Sequence, residues 1–275
     1  MQLRTAALID KGWDHAMGTT LPSLFVGHGN PMNALTTNAF TDAWRAIGRR
    51  LRPRAILAIS AHWYVRGTGV TVSTAPRTIH DFGGFPQELY QVQYPAPGDP
   101  ALARRVQQLL APLPVVLDES WGLDHGTWSV LTHVYPEANV PIVQLSIDAT
   151  KPASFHYEIG RKLAQLREEG VLIFASGNLI HNLRTYAWGR PDEVYEWAQR
   201  FEHEARGLLL GGDHQPLVQY ESLGRDAQLA IPSADHYLPL LYVLGSQQSS
   251  DAVRFPVEGI EGGSLSMLSV EIGAP

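Results

Sequence analysis

The sequence predicts a single α/β domain with a mostly parallel central sheet flanked by helices. Short apolar runs of strand length, among them Leu24–Val26, Ala55–Trp63, Pro141–Ile147 and Val171–Ala175, alternate with segments of helical period. These runs are apolar at consecutive positions rather than at every second one, which suits strands buried on both faces. Three of them break off at a histidine or just before one: Leu24–Val26 into Gly27-His28-Gly29-Asn30-Pro31, Ala55–Trp63 at His62, and Val171–Ala175 into Ser176-Gly177-Asn178 with His181 following. The carboxyl edge of a parallel sheet is where ligands bind in such folds, and imidazoles gathered there point to a metal.

Taken in order, residues 1–20 show no clear period and read as a poorly packed N-terminal extension, with His15 a bystander; the domain proper is assigned to 21–275. Phe40, Ala43, Trp44, Ile47 and Leu51 recur at helical spacing, so 38–51 is a helix whose end carries Arg49, Arg50, Arg52 and Arg54, where cations complement the dipole. The run at 55–63 is expected to be a strand that stops at His62, followed by another around 70–73. Residues 76–98, punctuated by Pro and Gly, form a long irregular loop, and the part from Ile79 to Pro86 is expected to wall or cover a pocket. A helix over 100–110, a short strand over 115–117, a helix over 127–135, a strand over 141–147 and a helix ended by Gly170 come next. Beyond the third histidine-bearing strand, Val194, Trp197, Phe201, Ala205 and Leu208 mark an amphipathic helix. Ser233-Ala234-Asp235-His236 opens a segment that turns helical near Pro239, and 264–272 alternates as a last strand. There is no internal repeat and no dividing linker.

Composition narrows the function. In 275 residues, 44% are hydrophobic, enough for a sizeable core. The formal charge of −6 comes without the basic cluster a nucleic-acid surface needs. No apolar run approaches the roughly 18–20 residues of a membrane helix, and the N-terminus is too short in apolar residues for a signal peptide. Cysteine is absent, which excludes disulfides, thiolate ligands and a cysteine nucleophile and fits a cytoplasmic protein. Histidine, with 11 residues, is the notable abundance.

The histidines are not equivalent. His133, His156, His203 and His214 read as packed or surface residues. His203-Glu204 fails the H-E-x-x-H zinc motif because Gly207 holds its last position. His28 sits between two glycines, which allow close approach of backbone to a ligand. His62, His181 and His236 also lie at element ends, and four such imidazoles fit one neutral-imidazole site, although spacing alone does not bring them together. His125 lies between Trp121 and Trp128 in a loop suited to a planar substrate or, equally, to a Trp-stabilised turn. Its neighbour Asp124 either orients an imidazole or caps the helix that follows.

These segments resemble a known family. G-H-G-N-P-M, S-A-H-W, I-H-D-F-G-G-F-P, W-G-L-D-H-G-T-W, S-G-N-L-I-H-N-L, H-Y-L-P-L-L-Y-V-L-G and G-S-L-S-M-L-S-V are similar, from about Leu21 to Ile272, to the 4,5-DOPA-extradiol-dioxygenase group. That group lies within the class III extradiol ring-cleaving dioxygenases, together with the protocatechuate 4,5-dioxygenase catalytic subunit. The resemblance implies one α/β domain around a mononuclear divalent metal, with zinc often found in crystals and ferrous iron expected for oxygen chemistry. It implies His28, His62 and His236 as ligands, and His181 as the acid/base histidine with a fourth ligand position as its alternative. His125 lines the substrate pocket, and Asp124, Phe82 and Trp63 are assigned with it to the substrate wall. The protocatechuate enzymes have a glutamate where this chain has His236, and an all-imidazole set also suits zinc.

The expected reaction opens a catechol beside its two hydroxyls with O2, giving a semialdehyde, with His181 moving the proton and His125 stabilising the reacting oxygen. The expected partners are a small-molecule catechol and O2, with no nucleic acid and no membrane. Two other classes compete: a zinc hydrolase, which lacks a motif for a carboxylate base, and a non-catalytic metal-binding interaction protein, which has no need of both His125 and His181. No G-x-S-x-G elbow supports a serine hydrolase.

Overall fold

The structure, a computed structural model, describes residues 20–274. The expected N-terminal extension, with His15, lies outside the described residues apart from Thr20. The chain opens with β1 (Ser23–Gly27), α1 (Ala39–Arg50), β2 (Ala55–Val65) and β3 (Thr68–Thr71). It continues through α2 (Gln87–Tyr90), α3 (Pro100–Leu110), β4 (Val115–Asp118), α4 (His125–Val134), β5 (Ile142–Asp148), α5 (Ala153–Leu163) and β6 (Val171–Gly177). Then follow α6 (Glu196–Gly211), α7 (His214–Val218), α8 (Arg225–Ala230), α9 (Leu238–Gly245), β7 (Ala252–Val257), β8 (Ile260–Glu261), β9 (Leu265–Ser266) and β10 (Ser269–Gly273).

Eight strands form one sheet in the order β4-β3-β5-β2-β6-β1-β10-β7. The central four, β5, β2, β6 and β1, run parallel to one another, while β3 against β5, β10 against β1 and β7 against β10 are antiparallel. The predicted single α/β domain with a mostly parallel sheet is the observed one. Every residue of β1, β5 and β6 is buried, which is why these runs lack polar alternation. Alternate side chains feed two cores: Leu57, Ile173 and Phe25 face one way with α3, α5, α6 and α9, while Ile56, Leu172, Phe174 and Val26 face the other with Trp44 of α1 and Trp128 of α4.

Local chemistry sets the helix starts. Asn38 and Thr41 form a reciprocal capping box at α1, and Asp99 caps α3, with Pro100 in its first turn. Asp124 accepts the Thr127 amide and starts α4 at His125, two residues earlier than expected. Three further expectations are corrected. β2 does not stop at His62 but, after an irregularity between Ile59 and Tyr64, resumes pairing with β5 up to Val65. Residues 264–272 split into β9, which pairs with β8, and β10, which pairs with β1 and β7. The long stretch from 76 to 98 contains the short helix α2.

Candidate metal centre

The order β2-β6-β1 brings three histidine-bearing chain positions to one edge. His28 follows β1 directly, and its amide donates to the Gly177 carbonyl at the end of β6 (3.0 Å). His62 lies on the adjacent β2. Asn178, just past β6, donates its amide to the His236 carbonyl (2.9 Å), pinning the segment before α9 against the same edge. The glycines around His28 serve protein rather than ligand contact: a side chain at Gly27 would strike the backbone of Ser266 and Met267, and Gly29 adopts φ +60 against the Met267 side chain.

The rings of His28, His62 and His236 form a nearly equilateral triangle, with centroid separations of 5.1, 5.2 and 5.1 Å. One nitrogen of each lies within 4.8 Å of the others. The Nε2 atoms of His28 and His62 are 3.2 Å apart, close to the roughly 3.3 Å that separates two nitrogens bound to one tetrahedral zinc at about 2.0–2.1 Å.

The remaining ring nitrogens explain why Nε2 is the inward atom. Ser176 donates its hydroxyl to the Gly126 carbonyl (2.5 Å), so its oxygen accepts from His28 Nδ1 (3.0 Å). Asp235 Oδ2 lies 2.5 Å from His236 Nδ1, and Asp81 Oδ2 lies 3.4 Å from His62 Nδ1. Hydrogen bonds therefore hold His28 and His236 at Nδ1, the arrangement that orients metal-binding histidines, while His62 Nδ1 faces a carboxylate oxygen at ion-pair distance. Burial, and then the neighbouring imidazoles, lower the pKa values of His28 and His62 well below the ordinary range, so both rings are neutral. Burial alone would raise the Asp235 carboxyl, but its hydrogen bond to His236 and the charge interaction outweigh this and hold it low. The donor set fits a divalent metal.

His181 stands beside this group rather than in it. Its ring stacks on His236 at 3.5 Å with planes 3° apart, and its amide is fixed by the Ala230 carbonyl (2.9 Å). Burial, and then His236, lower its pKa to about 3. His125 opens α4 with its ring 3.8 Å from that of His62 and 5.7 Å from that of His28. Its Nδ1 lies 3.0 Å from Asp81 Oδ1, at ion-pair distance but without hydrogen-bond alignment, and its backbone amide donates to the same oxygen (2.9 Å).

Phe82 packs edge-on against His125 at 5.4 Å, so the 79–86 loop does lie on the metal side. His80, in the same loop, places its Nε2 on the Val92 carbonyl (3.0 Å) and its ring among Phe82, Tyr90 and Trp128. Two residues assigned to the wall are engaged elsewhere. Asp124 is fully buried; it binds the Thr127 amide and the Gln144 amide nitrogen, and burial, then the charge of Asp81, raises its pKa to about 6. Trp63, one residue past His62, points to the opposite side of the strand, stacking on Trp121 at 5.3 Å and against Gly69. Sequence reasoning missed Asp81, Asp235 and Ser176. Asp235 directly precedes His236 and Asp81 lies within I-H-D-F-G-G-F-P, so carboxylates beside the histidine motifs were the available signal.

Fold and site together define a class: an α/β enzyme with a histidine cluster fit to hold a metal at the carboxyl edge of its parallel strands. The chain belongs to the family described as the catalytic LigB subunit of aromatic ring-opening dioxygenase, which it matches over residues 20–261. It is 55% identical over 260 residues to the 4,5-DOPA dioxygenase extradiol of Escherichia coli (strain K12), covering 93% of this chain and 96% of that one. It is 37% identical over 254 residues to the protein of the same name from Beta vulgaris, covering 89% and 93%. The crystal structure of an uncharacterized protein from Escherichia coli K12 superposes with a TM-score of 0.82 at 51% identity, over 92% of this chain and 100% of that one. The family expected from the motifs is thus the family found, and the protein is an aromatic ring-opening dioxygenase. Among the described residues, no helix is long and apolar enough to cross a membrane.

Proposed function

We propose that the enzyme opens the ring of a catechol, DOPA or a related one, in the extradiol sense with O2, at a divalent metal held by His28, His62 and His236. The observation that carries this reading is the convergence of the His28, His62 and His236 imidazoles, with two further histidines, His125 and His181, set against them. The names of the bacterial and plant relatives support the DOPA-like substrate. A divalent metal there would supply Lewis acidity toward a catecholate and, as ferrous iron, the electron transfer that O2 chemistry requires.

The chain's own groups divide the remaining work. His181, neutral in its stacked position, takes the second phenolic proton; a catecholate beside it stabilises the imidazolium and raises its low pKa. His125 presents its outer ring edge to the reacting oxygen, with Phe82 behind it as the apolar wall for the ring. Both oxygen atoms of O2 enter the product, the carbon–carbon bond beside the hydroxyls breaks, and the catechol supplies all the electrons, so no external reductant is consumed. The carboxylates Asp81 and Asp235 are both engaged by imidazoles, which supports this reading over a hydrolase that needs a free carboxylate base. Cytoplasmic location belongs to the same proposal and is supported by the cysteine-free composition.

The test is oxygen uptake and semialdehyde absorbance across a catechol panel with iron-loaded and zinc-loaded protein. Stoichiometric O2 consumption with a yellow ring-opened product in the iron form alone is the expected result. An iron-loaded protein that consumes no O2 with any catechol would refute the reading.

A further inference from the structure

The loop from 76 to 98 brings one carboxylate, Asp81, between two imidazoles. Oδ2 lies 3.4 Å from Nδ1 of His62, and Oδ1 lies 3.0 Å from Nδ1 of His125. We infer that Asp81 is a positioning residue that sets the tautomers of His62 and His125 together, so that one carboxylate governs both a metal ligand and the substrate-facing histidine. The inference rests on the dioxygenase reading for the role of His125, but not for that of His62.

An ionised carboxylate attracts an N–H and repels a ring lone pair, so at 3.0 and 3.4 Å, short of hydrogen-bond alignment, the favoured tautomer of each ring carries its hydrogen on the nitrogen facing Asp81. Both Nδ1 atoms then carry the hydrogen and both Nε2 atoms are bare. For His62 this is the atom 3.2 Å from His28 Nε2, in the ligand group. For His125 it is the opposite ring edge, whose lone pair accepts a hydrogen bond or proton from a bound catechol and, once protonated, donates to the reacting oxygen. The near-contact of the two rings, at 3.8 Å, makes the arrangement a unit: rotation of either imidazole would strike the other.

Asp81 is itself held in place. Its Oδ1 accepts the His125 amide at the first turn of α4, where the helix dipole favours an anion. Two residues upstream, Ile79 donates its amide to the Leu123 carbonyl (2.7 Å) and accepts the Trp128 indole N–H (2.8 Å) on its own carbonyl. Asp124, the carboxylate adjacent to His125 in sequence, cannot do this work, because it is buried beneath the helix and engaged by Thr127 and Gln144. Phe82 follows Asp81 directly and packs on His125, so the same short loop places the apolar wall and the acceptor that orients the histidine against it.

The test compares zinc-loaded wild type with Asp81→Asn, using long-range 1H–15N spectra of the histidine side chains to read tautomers and chelator competition to read zinc affinity. A carboxamide offers one acceptor and turns its N–H donors on the other ring. The expected result is that His62 or His125 loses its Nδ1–H form and that zinc affinity falls about 10- to 100-fold. With saturating ferrous iron, kcat should also fall, and the fall should shrink when Asp81→Asn is made in a His125→Phe background. Unchanged tautomers and zinc affinity with only a lowered melting temperature would make Asp81 a loop latch and overturn the inference. Asp81→Ser, which keeps an acceptor for the His125 amide but cannot span both rings, repeats the measurement if the Asn variant does not fold; failure of both to fold as zinc proteins also assigns Asp81 a structural role. A wild type inactive on every catechol would refute the dioxygenase reading while leaving the tautomer and zinc results to decide the role of Asp81.

Discussion

His62→Ala and His181→Ala should fail in different ways, because one ring belongs to the three-nitrogen group and the other stacks on its edge. Removing His62 deletes one of three converging nitrogens. Loss of a mere hydrogen-bond partner of such a ligand weakens metal binding about 10- to 100-fold, so loss of the ligand itself should exceed about 100-fold. Removing His181 costs the metal site only the ring-on-ring contact with His236, at 3.5 Å. Such contacts are worth about 0.5–1.5 kcal/mol, which limits the loss of metal affinity to about tenfold. Its loss as a proton-transfer group should lower turnover about 10²–10⁴-fold, roughly 3–5 kcal/mol of barrier. The assay measures bound metal after dialysis against a graded chelator, then turnover across a ferrous iron titration. His62→Ala should lose its metal and recover part of its rate with excess iron; His181→Ala should retain metal and stay slow at every iron concentration. If His181→Ala loses metal as readily as His62→Ala and iron restores its rate, His181 is a ligand and the division of roles is wrong.

Three further outcomes follow from the packing. Gly126→Ala would place a methyl group 2.5 Å from Ser60 Oγ and 2.8 Å from His62 Cδ2; it should cost about 1–3 kcal/mol in denaturant melts and weaken zinc binding, whereas Gly207→Ala, with open space around it on α6, should do neither. Arg167 is fully buried and bound to Asp251 at 2.6 and 3.0 Å, so Asp251→Asn should cost about 3–5 kcal/mol of stability by chemical denaturation, and a loss under about 1 kcal/mol would show the guanidinium to be satisfied by Leu21 and Ser246 alone. Burial lowers the pKa of His156 from 6.5 to about 4, so the unfolded chain takes up its proton first. Stability should therefore be undiminished by this group above about pH 6.5 and fall as pH drops toward 4, by up to about 3 kcal/mol, and His156→Gln should flatten that part of the urea-midpoint profile.

The α/β class, most strands and the helices at 39–50 and 100–110 were legible in the sequence because burial and period are local properties. Consecutive apolar residues in β1, β5 and β6 mark strands covered on both faces, and Asn38 and Asp99 announce helix starts through bonds that span only three residues. The motifs around His28, His62, His125, His181 and His236 carried the family. β7 and the small helices α7 and α8 were not legible, since segments of five or six residues offer too little periodicity to separate from loop.

Only the tertiary structure decided how the site is built. Sheet order β2-β6-β1 sets residues 28, 62 and 236 around one point, and no sequence spacing contains that order. The same order leaves His181 stacked on His236 and, through strand alternation, turns Trp63 away from the site while His62 faces it. It also chose Asp81 over Asp124 as the carboxylate beside His125. Adjacency in the chain favoured Asp124, but the helix start needed its oxygen for the Thr127 amide, while a loop more than forty residues upstream brought a carboxylate to the His125 amide and within 3.0 Å of its Nδ1. Capping is a short-range bond that the local chain satisfies first, whereas orienting an imidazole requires an acceptor from whichever segment the fold places opposite its Nδ1.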